Sequence, residues 1–380
     1  MEFDLGWILL GLPVAFALGW FASRMDLRQL RLENRQAPKA YFKGLNFLLN
    51  EQQDKAIDAF IEAVQNDPDT SELHFALGNL FRRRGEYDRA VRVHEHLLSR
   101  GDLGQADRAR AQHALALDFL KAGLLDRAEE ALQRLEGTRH QDAARLALLA
   151  IYERSRDWSQ AAAVARRLTE AGTADFSGRQ AHYLCEQAQA LTNQGQPEAA
   201  REALERAIAQ APQAARPRIE LARWFSAAGQ VEPAYTTLVE LAARAPEALP
   251  LVAGQLMEAA AACQRTPQAR ELLRHHYELR PSLDLLEALV RDQAPDDVRA
   301  ACTAHLDREP SLIVATRWLA TERFEHEEAH PSVQRALEQA TRPLSRYRCA
   351  ACGFEASRHF WQCPGCQAWD SYPPKRVEEL

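Results

Sequence analysis

Between about Tyr41 and Pro310 the small and apolar positions recur with a period of about 34 residues, and inside each period their spacing is helical rather than alternating. One unit places Gly78 and Phe81 in a first helix, Gly85 and Tyr87 at a turn, and Ala90 and Leu97 in a second helix. The unit before it matches with Gly44, Phe47, Ala56, Ala63 and Pro68. Later units match with Ala116, Phe119, Gly123, Ala128 and Leu135, and then with Leu149, Tyr152, Trp158, Ala161 and Leu168. Two more follow: Ala188, Leu191, Gly195, Ala200, Ala207 and Pro212, then Ala222, Phe225, Gly229, Ala234, Leu241 and Pro246. Weaker copies run over 269–281 and 298–310. A small residue in each helix predicts a close approach of the pair. The aromatic or leucine fills the gap, and the proline stops the second helix.

This pattern resembles the tetratricopeptide repeat. The resemblance implies a superhelical solenoid in which each unit packs only on its neighbours and a concave face holds a peptide or a partner helix. In that family the first helix of each unit lines the groove. By the same mapping Asn79, Arg82, Arg83, His113, Lys121, Arg154, Asn193 and Arg223 face inward, a set mixed to basic that suits an acidic or C-terminal carboxylate partner. The two-carboxylate clamp of chaperone-binding repeats needs Lys and Asn in the first unit, where Tyr41 and Leu45 stand instead.

Leu5 to Ala22 carries no charge over about eighteen residues, enough to cross a hydrocarbon core. Trp7 and Trp20 flank it, as interfacial indoles do. Arg24, Arg28, Arg31, Arg35, Lys39 and Lys43 follow, and no Lys or Arg precedes, so the positive-inside rule places the body in the cytoplasm. A cleaved signal peptide would need a basic leader, and Glu2 and Asp4 stand there.

Charged residues make up 26% and hydrophobic ones 46%, the balance of a folded protein, and a net charge of -6 gives no support to a nucleic-acid partner. The cysteines change the picture. Cys349 and Cys352, then Cys363 and Cys366, form two C-x-x-C pairs, the donor set of one tetrahedral metal site. A reducing cytoplasm keeps such thiols free. Cys185, Cys263 and Cys302 show no pairing and read as small core residues.

His326-Glu327-Glu328-Ala329-His330 matches the H-E-x-x-H pattern of zinc peptidases. Pro331 follows directly and is expected to break the helix that such ligands need, and no third ligand sits at peptidase spacing. The stretch reads as a polar helix end, and the chain as a non-enzyme.

The run Cys349-x-x-Cys352-Gly353 … Cys363-Pro364-x-Cys366 resembles the knuckles of rubredoxin and of rubredoxin-type zinc ribbons, with Tyr347, Phe354, Phe360, Trp361 and Trp369 around it. Gln367 stands where rubredoxins usually have glycine, and the spacer is short; both weaken a redox role and favour zinc over iron.

The order of parts, up to the closing C-x-x-W-D of Cys366 to Asp370, resembles the lipopolysaccharide assembly protein B family of Gram-negative bacteria end to end. That resemblance implies an inner-membrane adaptor that works with the membrane-bound AAA+ protease FtsH to promote degradation of the deacetylase LpxC. It also implies restraint by an inner-membrane signalling protein when lipopolysaccharide is scarce. The expected fold is all-α: a tetratricopeptide solenoid with an N-terminal transmembrane helix and a small C-terminal rubredoxin-type zinc ribbon. The expected domains are an anchor over 1–23, a basic segment over 24–36, about eight to nine repeats over 37–340 and a metal-binding domain over 341–380. An electron-transfer protein and a general co-chaperone at the membrane remain open alternatives.

Overall fold

The computed structural model describes residues 42–66, 70–322 and 330–380, with Phe16 and Trp20 as two further helical positions. The expected anchor, the basic segment after it, and the H-E-x-x-H residues before His330 lie outside the described residues. Among the described residues no helix is long and apolar enough to cross a membrane. Pro331 lies within the helix His330–Thr341, and the residues before His330, on which the helix-breaking expectation bears, lie outside the described residues.

The chain divides into two compact units between Ser155 and Arg156. The first holds a helical stretch over 42–49 and the helices Gln53–Asn66, Ser71–Arg84, Tyr87–Ser99, Gln105–Ala122, Leu125–Gln133 and Gln141–Ser155. The second opens with Trp158–Glu170 and Ser177–Asn193 and continues as Pro197–Gln210, Ala215–Ala227, Val231–Arg244, Ala253–Ala262 and Thr266–Leu279. Shorter helices follow at Leu283–Val290, Pro295–Leu306 and Leu312–Thr321, then His330–Thr341. Tyr347–Arg348 (β1) and Glu355–Ala356 (β2) form the sheet of the terminal ribbon. The ribbon is not set apart: it belongs to the same compact unit as the repeats from Arg156 onward.

The repeat pattern has a direct steric reading. A Cβ placed on Gly78 would fall 2.5 Å from Cε1 and Nε2 of His94, and one on Gly44 would fall 2.8 Å from Phe60. Only glycine allows the helices to lie that close. The aromatic at the end of the first helix is covered by an arginine of the second: Arg89 lies 4.0 Å from the Phe81 ring centre, and Arg127 repeats the contact on Phe119 at 4.5 Å. The turns after the first helix of each repeat are left-handed at Glu51, Gly85, Gly123, Arg156, Gly195, Gly229 and Gln264. Glycine accommodates that φ freely, whereas Glu51, Arg156 and Gln264 adopt it at a cost of ~1 kcal/mol each.

The first unit also buries charge. Asp118 and His94 are fully buried, and Asp118 accepts from Arg82 Nη1 at 2.9 Å while its other oxygen lies 2.5 Å from His94 Nδ1. Three successive helices are thereby pinned through one carboxylate, and Arg82, expected to face a groove, spends its guanidinium on Asp118, the Ala114 carbonyl and Asn79. Such a group is costly to bury alone and stabilising only with all partners in place.

Candidate metal centre and its seat on the repeats

Two matching knuckles present the four cysteines. In the first, the Gly353 N–H donates to the Cys349 carbonyl at 2.9 Å and the Cys349 N–H to the Phe354 carbonyl at 2.9 Å. In the second, the Gln367 N–H donates to the Cys363 carbonyl at 2.8 Å and the Cys363 N–H to the Ala368 carbonyl at 2.9 Å. β1 and β2 flank the first knuckle, and a bridge between Gln362 and Trp369 flanks the second. Gly353 (φ 78°) and Gln367 (φ 62°) occupy equivalent left-handed positions. Gln367 therefore takes the glycine conformation without being glycine.

The sulfurs converge. Cys349 and Cys366 stand 3.8 Å apart, Cys352 and Cys363 3.7 Å, and all four lie within 4.8 Å of one another. Four sulfurs placed tetrahedrally about 2.3 Å from one ion would stand about 3.8 Å apart, whereas a disulfide needs about 2.05 Å. The electrostatics point the same way. Burial works against the Cys349 thiolate, but the Ser371 hydroxyl and the amides of Cys352 and Ala351 outweigh it and bring its pKa to about 6. Burial likewise opposes the Cys363 thiolate, and the amides of Cys366 and Gly365 lower its pKa nonetheless. Cys352 has the help of the Phe354 amide, yet burial and the three neighbouring sulfurs push it up to about 12. Four thiolates cannot share this space without a cation. The cluster and its ribbon point to one structural metal ion.

The aromatics divide into two groups. Tyr347 and Tyr372 form the ribbon's own core with Cys349 and Cys363, and Phe360 packs on it. Leu251, from the 3-10 stretch Pro246–Val252, joins that core from the repeats. Trp361 turns outward onto the core around Leu249, Leu256 and Leu285. Trp369 stacks on His182 at 4.7 Å and meets Trp158 and Tyr183 edge-on at 6.1 and 6.0 Å. Next to it, both carboxylate oxygens of Asp370 lie 2.9 Å from His182 Nε2. Between these contacts a cavity of about 580 Å3 opens, lined by His182, Arg216, Leu251, His359, Trp361 and Tyr372 among others.

The chain's last residues complete the seat by capping two helices. Glu378 accepts from the Leu312 N–H at 2.6 Å and from the Ser311 hydroxyl at 2.6 Å, at the start of Leu312–Thr321. Glu379 accepts from the Leu283 N–H at 2.9 Å, at the start of Leu283–Val290. Arg376 grips Asp284 with two bonds, at 2.6 and 2.9 Å. Helix N-termini carry free N–H groups and a partial positive charge, so a carboxylate there satisfies both. Burial pushes the Glu379 carboxyl above its usual range, against the pull of the Arg376 and Leu283 amides.

The spacing of the cysteines foretold the knuckles. It did not foretell His182, Asp284 or Ser311, whose partners lie in the ribbon and tail. The only local signal was the Trp369-Asp370 pair just beyond the last cysteine, an indole and an acid with no task in the knuckle itself. Of the expected groove residues, Arg83, Lys121, Arg154, Asn193 and Arg223 are exposed, Asn79, Arg82 and His113 half-buried. Asn79 and Arg82 meet directly, His113 stacks on His140, and Arg223 pairs with Glu220 at 3.5 Å.

Comparison with known proteins agrees with this geometry. Residues 347–373 match the rubredoxin metal binding domain, and residues 73–109 and 191–257 match tetratricopeptide repeat families. The class is therefore a tetratricopeptide array carrying a rubredoxin-type ribbon. Lipopolysaccharide assembly protein B of Escherichia coli strain K12 is 32% identical over 97% of this chain and 98% of its own length. The protein of that name from Haemophilus influenzae is 26% identical over 98% of both. The chain belongs to the lipopolysaccharide assembly protein B family. Among solved structures, a tetratricopeptide repeat protein from Parabacteroides merdae aligns over 67% of this chain and 98% of its own, with a TM-score of 0.34 and 14% identity.

Proposed function

We propose that this protein is an inner-membrane adaptor in lipopolysaccharide assembly, acting by bringing partners together rather than by catalysis. The observation that carries the role is the end-to-end similarity to lipopolysaccharide assembly protein B. The four converging sulfurs support its structural half: Cys349, Cys352, Cys363 and Cys366 hold one zinc ion that fixes the ribbon's fold. The apolar stretch from Leu5 to Ala22 is a single-pass anchor, with the repeats and ribbon on the cytoplasmic side. The groove positions Asn79, Arg82, Arg83, His113, Lys121, Arg154, Asn193 and Arg223 contribute to a partner surface.

The partners in this reading are the membrane protease FtsH and its substrate, the deacetylase LpxC, together with inner-membrane proteins of lipopolysaccharide assembly. Tethering raises the effective concentration of the repeats beside a membrane-bound protease. Crosslinking from membranes with the anchor intact should capture FtsH and LpxC, and removing residues 1–23 should slow LpxC turnover. Normal LpxC turnover with an anchorless protein at native level would sink the proposal.

A further inference from the structure

His113 and His140 lie face to face in the first unit, ring centres 4.7 Å apart and planes within 13°. His113 comes from the middle of Gln105–Ala122, and His140 directly precedes Gln141–Ser155. Arg139 Nε donates to His140 Nε2 at 3.2 Å, so that nitrogen carries no proton. Burial, then His140 and Arg82, hold His113 below the usual imidazole range. Burial, then Arg139 and Arg110, do the same to His140. Both rings are thus poised neutral next to three guanidinium groups.

The nearby charges are unevenly matched. From Ser71–Arg84 come Arg82, taken by Asp118, and Glu72, which pairs with Arg110. From the turn and the helix after it come Glu136 and Asp142, both on Arg145. Arg139 is exposed and has no carboxylate partner among the described residues. One uncompensated cation beside two neutral imidazoles matches a singly charged anion better than a doubly charged one. A carboxylate taking the guanidinium of Arg139 would free His140 Nε2 to bind a proton from solvent, and the imidazolium formed would be a second donor to the same carboxylate.

We propose that His113 and His140, framed by Arg82, Arg110 and Arg139, seat a carboxylate of an acidic segment of a partner protein, and that seating takes up a proton onto the imidazole pair. The inference rests on the groove reading given above and names the chemistry of one part of that groove. Repulsion between stacked rings limits the uptake to about one proton. Anion binding raises the imidazole pKa, so affinity grows as pH falls through the bound value and levels off below the free one.

The test is calorimetric titration of the full chain with N-acetyl-tetraglutamate at low ionic strength, between pH 7.5 and 5.5, in buffers of different ionisation heat. The expected result is an affinity that rises by up to about tenfold per pH unit on acidification, with uptake of about one proton. The pH dependence should vanish in a His113→Gln/His140→Gln variant, and Arg139→Gln, at an exposed position, should weaken binding without altering the fold. Affinity independent of pH, or no binding, overturns the proposal. So does inorganic phosphate binding where the peptide does not, which would mark an adventitious anion seat. Peptide binding that ignores these variants but weakens with Arg223→Ala overturns the seat and leaves the groove. A groove that captures no partner in membrane crosslinking fails on its own, whatever the peptide does.

Discussion

Asp370 and His182, 188 residues apart in the chain, meet with both carboxylate oxygens 2.9 Å from one imidazole nitrogen. His182 is buried beneath the Trp369 ring, and Asp370 closes over its free edge. Part of the ribbon's fastening to the repeats therefore lies three and four positions beyond its last cysteine.

Trp369→Ala, at a half-buried ring, should loosen that fastening by ~2–3 kcal/mol, and Asp370→Ala, at an exposed carboxylate, by up to ~1 kcal/mol. Limited proteolysis of the metal-loaded protein checks both, with faster cleavage between the last repeat and Tyr347 as the expected outcome. Unchanged cleavage in the tryptophan variant would mean the stacked rings contribute nothing to docking.

Metal removal should reach further than the ribbon. Elemental analysis is expected to give one zinc per chain. Chelation, or Cys363→Ser, should raise amide exchange in Leu283–Val290 and Leu312–Thr321 as well as over 347–373, because Glu379 and Glu378 cap those helices only while the ribbon is folded. Exchange over 71–155 should not change. Stoichiometric iron, or loosening confined to the ribbon, would contradict this.

Glu378→Ala tests the cap alone. It removes the acceptor for the Leu312 amide and the Ser311 hydroxyl and should cost ~0.5–2 kcal/mol. The loss should appear as faster exchange at Leu312 and Ile313 with metal content intact. Ser311 still accepts from the Val314 amide, which keeps the loss below complete uncapping.

Gln367→Gly should stabilise the ribbon. At φ 62° a side chain costs ~1–2 kcal/mol, and the added freedom of glycine in the unfolded chain returns ~0.5–1 of it. A slower loss of metal to a competing chelator is the expected readout. Faster loss would show that the Gln367 side chain supports the knuckle.

Gly78→Ala should destabilise the first unit by ~1–3 kcal/mol, since the new methyl would fall within 2.5 Å of the His94 ring. Denaturant unfolding monitored within 42–155 reads it. An unchanged midpoint would mean that the helix pair can part at no cost.

The parts of the fold that were legible are those with a local signal. Gly78 and Gly44 announce close helix contacts because a small residue recurs at fixed phase, and the metal centre is legible because its four donors lie within one short segment. Three left-handed turns were silent, since Glu51, Arg156 and Gln264 carry no glycine. Arg82 was placed in the groove by analogy of position, whereas Asp118, an acid set in the apolar run Leu115-Ala116-Leu117-Asp118-Phe119-Leu120, was the sign of its true partner. The seat of the ribbon was illegible for a different reason. Glu378 and Leu312 are 66 residues apart, Arg376 and Asp284 are 92, and no periodicity relates them.

Those same separations bear on how the second unit forms. A stack of repeats folds from neighbour to neighbour and has no long loops to close. The ribbon adds such closures, from Asp370 to His182 and from the tail to Leu283 and Leu312. Contacts distant in sequence are the slow ones to establish, because loop entropy is lost before they reward it. The second unit is therefore expected to fold more slowly than its repeats alone would, because it must close contacts that nearest-neighbour stacking lacks. Until Glu378 and Glu379 are in place, the helices at Leu283 and Leu312 lack the carboxylates that cap them.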